Sequence, residues 1–391
     1  MSSRFITPRD VYFGPGAIEN LKNLKGKKAV VCIGGSSLKK SGALDRILGY
    51  LAEAKIETKI IDGIEADPSL ETVYAGAKVM HDFGPDWIVA VGGGSAIDAA
   101  KCMWVFYENP DIKFEALLAP HGFPPLRKKA RLAAVSTTSG TGTEVTAASV
   151  ITDHKIKVKH PLIDYQLTPD VAIVDPELTY SLPPAVVAST GMDALTHAME
   201  AYVAKAHNPF SDAPGLMAIE LIFANLEKSY NGDLEGRKNI HYAQTLAGIS
   251  FNSAFLGIVH SIAHTFGAYF KVPHGFGNAL ALANSIQYNA RHAESLIRFA
   301  DMARFLGLPG RDNNILVDNL VGAVRDLNRR VGIPPSYKAY GVPEAEFRQH
   351  VSTMAQKALG DICTAFNPRE IDAVNMEKVY WCAYEGTNVI F

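Results

Sequence analysis

At 391 residues the chain is long enough to build two ordinary domains around substantial cores. Its 48% hydrophobic and 20% charged residues are those of a folded globular protein and exclude a disordered or fibrous one. With 38 basic against 40 acidic residues and a net charge of −2, no global field draws it to nucleic acid or to an anionic membrane.

In chain order, the terminus Met1-Ser2-Ser3-Arg4-Phe5 lacks the apolar stretch of a secretory signal. Residues 29–33 are a short buried-strand run closed by Gly34-Gly35, and residues 38–54 follow as an amphipathic helical stretch. Residues 58–61 read as strand, 69–83 as helix, and 87–91 as another apolar strand ending in Gly92. The run Gly92-Gly93-Gly94-Ser95-Ala96-Ile97-Asp98 then leaves a strand and opens a helix. Glycines there let the backbone approach a phosphate, and the amides of the helix start can donate to it. The same residues also read as a plain turn with Ser95 as N-cap and Asp98 closing a capping box. Ile97 stands where a G-x-G-x-x-G fingerprint needs its third glycine.

Further on, Arg127-Lys128-Lys129 reads as solvated loop charge. Residues 132–136 form a strand followed by Thr137-Thr138-Ser139-Gly140-Thr141-Gly142-Thr143-Glu144, a loop rich in donors that in isolation is only a polar turn. Residues 171–174 add one more strand. Continuous apolar strands alternating with helices predict a mostly parallel, Rossmann-like sheet with ligands at the carboxyl ends of its strands. Two donor-rich loops on one sheet favour a nucleotide.

After Leu182-Pro183-Pro184 strand runs become scarce and helical periodicity with many small residues takes over, as across 242–270. The boundary is placed there, giving an α/β domain over 1–183, for which the family likeness given below implies dinucleotide binding, and a helical domain over 184–391. Asp193 and His197 stand at i and i+4 on one helical face, and His260 and His264 repeat the spacing, with His274 soon after Pro273. One such pair is an ordinary surface contact; a carboxylate with several imidazoles is also a set for a first-row divalent metal. His207, His241 and His292 read as ordinary polar residues. The four cysteines, Cys32, Cys102, Cys363 and Cys382, have no metal spacing and suit a reducing compartment, and no run of about 18 apolar residues appears. A cytoplasmic protein is expected.

The stretch Gly191-Met192-Asp193-Ala194-Leu195-Thr196-His197-Ala198-Met199-Glu200-Ala201-Tyr202 resembles a signature of the iron-containing, group III alcohol dehydrogenases. His260-Ser261-Ile262-Ala263-His264, continuing to Pro273-His274-Gly275, is similar to that family's second signature, and the likeness runs from Phe13-Gly14 to Asn367-Pro368-Arg369. Ala96 departs from the proline usual after the serine of the glycine run, and Thr143 stands where serine is common. The resemblance implies an α/β cofactor domain and an all-α second domain in a dehydroquinate synthase-like architecture. It implies Asp193, His197, His260 and His274 as metal ligands, and His264 as a catalytic group in proton transfer. Gly93, Gly94, Ser95, Asp98, Thr137, Thr138, Thr141 and Lys159 would bind the cofactor, and Phe251 and Cys363 would line the substrate pocket.

The implied metal is Fe2+, with Zn2+ as the alternative because intrinsic affinities favour it at nitrogen and oxygen sites. At the end of the first strand, an acidic residue would bind the ribose hydroxyls and repel a 2′-phosphate. Here Gly35, Ser36 and Lys39 stand instead, which favours NADP(H) over NAD(H) and is similar to NADPH-using members. The expected activity is hydride transfer between that cofactor and a small primary alcohol or aldehyde, by a homodimer or larger homo-oligomer. A glycerol or polyol dehydrogenase, and more distantly a dehydroquinate synthase-like lyase, are the rivals.

Overall fold

The computed structural model describes residues 4–154 and 158–391, so residues 1–3, part of the terminus read above, lie outside it. Contacts divide the chain into two compact units, one ending at Leu182 and one spanning Pro183–Phe391. Helices of more than eight residues are labelled α1–α12.

The first unit holds β1 (Asp10–Phe13), β2 (Lys28–Ile33), α1 (Ala43–Glu53), β3 (Glu57–Ile61), α2 (Leu70–Phe83), β4 (Trp87–Gly92), α3 (Gly94–Glu108), β5 (Arg131–Ser136), β6 (Ala148–Asp153), β7 (Val158–Ile163) and β8 (Val171–Val174). Six strands form one sheet in the order β1-β8-β5-β4-β2-β3, every pairing parallel, while β6 and β7 form a separate antiparallel pair. The strands are continuously apolar because both faces are covered. Val30 and Cys32 of β2 and Ile88 and Ala90 of β4 face one core, and Ala29, Val31, Ile33, Val89 and Val91 face the other. Helix α1, which follows β2, buries Leu44, Ile47 and Leu51 on the second face, whereas α2 and α3 bury Val73, Met80, Ile97 and Trp104 on the first. The chain thus turns to opposite faces after the neighbouring strands β2 and β4. That is a topological switch point, the place where open α/β sheets bind ligands.

Two expectations are corrected. The 38–54 stretch is two helices, Ser37–Lys40 and α1, because Gly42 adopts φ +74° between them. The helix after the glycines starts from Gly93 as N-cap with no side-chain cap, so Ser95 and Asp98 form no capping box. The Arg127-Lys128-Lys129 run is exposed loop charge, as read, and its backbone is anchored besides: the N–H groups of all three and of Ala130 donate to the buried Glu108 carboxylate. Arg127 also pairs with Asp170 at 2.8 Å and lies over the Trp104 ring.

The second unit is helical: α4 (Pro184–Val203), α5 (Pro209–Tyr230), α6 (Leu234–Ala254), α7 (Ile258–Phe270), α8 (His274–Asn289), α9 (Ala293–Phe305), α10 (Asn313–Arg330), α11 (Glu344–Leu359) and α12 (Ala373–Glu385). Among the described residues no single helix is long and apolar enough to cross a membrane. The small residues of α4 let it pack on α5, α6 and α8, and almost all of it from Gly191 onward is buried. A Cβ at Gly191 would meet Leu226 at 2.2 Å, and one at Gly275 would meet the Ser189 carbonyl oxygen at 2.1 Å, so glycine sets both approaches. The helical pattern across 242–270 is broken where Phe255 takes φ +63°, and α6 and α7 meet at 106°. His241, read as an ordinary polar residue, is fully buried in α6, and burial pushes its pKa down to about 3.

Candidate active site

In the second unit, α4 carries Asp193 and His197 one turn apart, and the first turn of α7 carries His260. His274 opens α8, directly after Pro273, which ends the preceding extended segment and starts the helix. One ligand atom from each of these four residues lies within 4.8 Å of the others. The Asp193 Oδ1 atom is 3.9 Å from Nε2 of His197, 3.9 Å from Nε2 of His260 and 3.4 Å from Nε2 of His274. Asp193, His197 and His260 are buried, while the His274 side chain is 41% exposed and marks the open side.

The break between α6 and α7 matters for this geometry. A Cβ on Gly257 would meet the Glu200 carboxylate at 2.8 Å, so the glycine lets that carboxylate reach the start of α7. There Val259 N donates to Glu200 Oε1 at 2.7 Å, and Nδ1 of His260 lies 2.5 Å from Oε2. Burial pushes the Glu200 pKa up to about 8 against these hydrogen bonds. Burial, with His197, His274 and His264 nearby, holds His260 well below the usual histidine range, so its ring is neutral. When ionised, Glu200 accepts from Nδ1–H, which leaves the Nε2 lone pair facing the cluster, the form a metal ligand requires. Asn278, one turn after His274, donates from Nδ2 to Asp193 Oδ1 at 2.7 Å.

The remaining predicted residues of this unit gather around the same centre. The Phe251 ring stacks on His197 at 4.5 Å between centroids, and the His264 ring stacks on His274 at 5.3 Å. Nδ1 of His264 lies 2.7 Å from Asp361 Oδ2, and Cys363 joins that pair as a buried thiol whose pKa burial raises well above the ordinary value. Sequence reasoning missed Glu200, Asn278 and Asp361. The signals were present: Glu200 is seven residues after Asp193, Asn278 is four after His274, and Asp361 caps the short helix Ile362–Phe366.

In the first unit the two donor-rich loops lie against each other at the carboxyl ends of β4 and β5. A Cβ at Gly93 would meet Thr138 at 3.1 Å and one at Gly94 would meet Thr141 at 2.9 Å. Neither glycine has positive φ, so close approach of the threonine loop is what demands them. Thr137 N donates to Gly92 O at 3.0 Å and joins the loops directly. Asp98 turns inward, accepting from Thr143 Oγ1 at 2.6 Å and from Val150 N at 2.9 Å. Thr143 keeps the hydroxyl role that serine would have. Asp67 ties two further predicted residues together, donating from its backbone N to Ser95 Oγ at 3.3 Å and pairing with Lys159 Nζ at 2.6 Å. Beyond β2, a Cβ at Gly35 would meet nothing within 4 Å, Ser36 caps nothing, and Lys39 pairs with Asp62.

One further group went unread in the sequence. Lys101 of α3 is fully buried, and its ammonium donates to the carbonyl oxygens of Thr143, Thr146 and Ala148 at 2.8, 2.7 and 2.8 Å. Burial pulls its pKa down to about 8, opposed by Asp98 and Glu144.

The chain is similar to known proteins along nearly its whole length. Residues 8–176 match the family model for iron-containing alcohol dehydrogenase, and residues 187–384 match that for the C-terminal part of the Fe-containing alcohol dehydrogenase family. The chain is 52% identical over 388 residues to the NADPH-dependent butanol dehydrogenase of Clostridium saccharobutylicum, covering 99% of this chain and 100% of that one. It is 40% identical to aldehyde-alcohol dehydrogenase 2 of Entamoeba histolytica over 97% of its own length, and spans 46% of that longer protein. The solved iron-containing alcohol dehydrogenase of Thermococcus thioreducens superposes with a TM-score of 0.91 at 35% identity, covering 98% of this chain and 100% of that one. The chain belongs to the iron-containing alcohol dehydrogenase family and is an oxidoreductase acting on alcohols or their aldehydes.

Proposed function

We propose that the chain is an NADP(H)-preferring, metal-dependent dehydrogenase that interconverts short primary alcohols and their aldehydes. The observation that carries this reading is the convergence of Asp193, His197, His260 and His274 on one point, with His260 neutral and oriented by Glu200. Three imidazoles and one carboxylate fit a first-row divalent cation, Fe2+ by family and Zn2+ by intrinsic affinity. When bound there, the cation would supply Lewis-acid polarisation of an alcohol or carbonyl oxygen. When bound to the first unit, the nicotinamide cofactor would donate or accept the hydride.

The chain's own residues would do the rest. Asp193, His197, His260 and His274 would hold the cation, with His274 on the solvent-facing side. The ring of Phe251 and the buried Cys363 thiol would give the substrate an apolar wall suited to a short alkyl chain. Cys363 stays protonated and lines rather than attacks. His264 would move the hydroxyl proton: Asp361 anchors Nδ1, leaving Nε2 for exchange, and the side chain is 39% exposed, so water can reach it. In the first unit, the amides and hydroxyls of Gly93, Gly94, Ser95, Thr137, Thr138 and Thr141 would hold the pyrophosphate and nicotinamide ribose, with Asp98 and Lys159 supporting these loops. Gly35, Ser36 and Lys39 would accept the 2′-phosphate, a reading supported by the open space at Gly35 and by the cofactor in the name of the Clostridium relative.

Two variants test the assignment. His260→Ala should lose metal and butanal reduction together, whereas His264→Asn should keep stoichiometric metal and lose most of its turnover. Full activity in His264→Asn, with an unaltered pH–rate profile, contradicts the proton role.

A further inference from the structure

We propose that Asn278 is a positioning residue of the metal centre: its side-chain amide holds the Asp193 carboxylate in place beside the His260 and His274 rings. The proposal rests on the metal-centre reading above and concerns a residue outside the four-ligand set. Asn278 lies on the same face of α8 as His274, one turn on, and is completely buried. Its Nδ2 atom donates to Asp193 Oδ1 at 2.7 Å and lies 3.2 Å from Nε2 of His260 and 3.2 Å from Nε2 of His274. It therefore touches three of the four ligand atoms.

The chemistry of the neighbours sets which end of the amide faces them. A carboxylate oxygen only accepts, so the 2.7 Å contact with Asp193 Oδ1 turns the NH2 end inward. The amide oxygen is left buried with no hydrogen-bond partner among the described residues. Leaving a buried acceptor unmade costs about 1–3 kcal/mol. A structural asparagine in this unit looks different: Asn289 and Asn367 each donate to the other's amide oxygen, at 3.0 and 2.8 Å, and satisfy both ends. Asn278 gives up one end to serve the cluster with the other. The donated N–H offsets the negative charge on Asp193 Oδ1 and keeps that carboxylate turned towards the histidines. The Asp193 contact persists with a cation bound, because a ligating carboxylate oxygen retains a second lone pair for the amide, whereas each Nε2 would give its single lone pair to the cation.

The test is equilibrium binding of cobalt(II) under anaerobic conditions, in competition with a chromogenic chelator, together with the visible spectrum of the bound ion. Asn278→Leu keeps the volume and removes the donors; it should weaken binding by about 10–100-fold and change the spectrum, since the ligand field reports ligand geometry. Asn225→Leu, a buried asparagine of α5 whose amide donates to the Leu221 carbonyl, is the control. It should lower the melting temperature and leave affinity and spectrum as in the wild type. Should Asn278→Leu not fold, Asn278→Ser makes the same comparison. Affinity within twofold of wild type with an unchanged spectrum overturns the role of Asn278. A wild-type protein that binds no cobalt overturns instead the metal-centre reading on which it rests.

Discussion

The Glu200 carboxylate lies 2.5 Å from Nδ1 of His260, and both groups are buried. Glu200 sits on α4, the helix that also carries Asp193 and His197, so one helix supplies two cluster residues and the orienting partner of a third. A carboxylate on the far nitrogen of a ligating histidine fixes its tautomer and raises its basicity. Glu200→Gln keeps the shape but must offer either its oxygen or its NH2 to Nδ1 and to Val259 N, and cannot satisfy both as an acceptor. Metal affinity should fall by about 10–100-fold while the helical circular dichroism is unchanged. Wild-type affinity in Glu200→Gln would show that the His260 tautomer is set by something else.

Lys101 is the corresponding hidden support in the first unit. Its ammonium satisfies three carbonyl oxygens that shape the end of the threonine loop and the start of β6. Lys101→Met removes a buried charge and leaves those carbonyls unpaired, a loss of about 3 kcal/mol. The thermal midpoint should drop by several degrees, and NADPH binding should weaken as the loop loosens. An unchanged midpoint contradicts the structural role.

Much of the architecture could be read from the chain because continuous apolar strands of this kind exist only where both sheet faces are covered. The strands β2, β4, β5 and β8 declared themselves that way. The strand β1 did not, being a four-residue, half-buried edge strand, and β6 and β7 did not, because β7 is mostly exposed and contains Pro161. The breaks at Gly42 and Phe255 escaped notice because apolar periodicity runs through a short turn without losing phase. At the site, the cluster histidines stood out by residue type and spacing. Glu200, Asn278 and Asp361 did not: seven residues after Asp193 and four after His274 mark a shared helix face, but the groups these side chains orient lie on other helices, which such spacing does not reveal.

His241 gives the protein an acid-sensitive term. Its unfolded-state pKa is near 6.5, and burial lowers the folded value to about 3. Between these values the unfolded chain binds the additional proton, so the contribution is fully present above 6.5 and is lost as pH falls towards 3. The slope from one such group is about 1.4 kcal/mol per pH unit. His241→Gln removes the titration, and its stability should fall less steeply than that of the wild type on acidification from about pH 6 to about pH 4. Parallel curves for the two proteins contradict this.

Lys39 and Asp62 form an ion pair beyond the carboxyl ends of β2 and β3. A 2′-phosphate bound at Gly35 and Ser36 would compete with Asp62 for that lysine. Lys39→Gln should raise the NADPH dissociation constant by about fivefold, the size of one half-exposed charge contact, and leave NADH within twofold. Equal losses for the two cofactors would remove Lys39 from the specificity argument.

Redox turnover should depend on metal held at the cluster. The direct measurement is anaerobic reduction of butanal by NADPH, using protein stripped of metal and then given ferrous iron, zinc or nothing. The predicted result is no turnover without metal, restored turnover with ferrous iron, and no restoration by iron in His260→Ala. Equal rates in the stripped and reloaded wild type would contradict a metal-dependent reaction at Asp193, His197, His260 and His274.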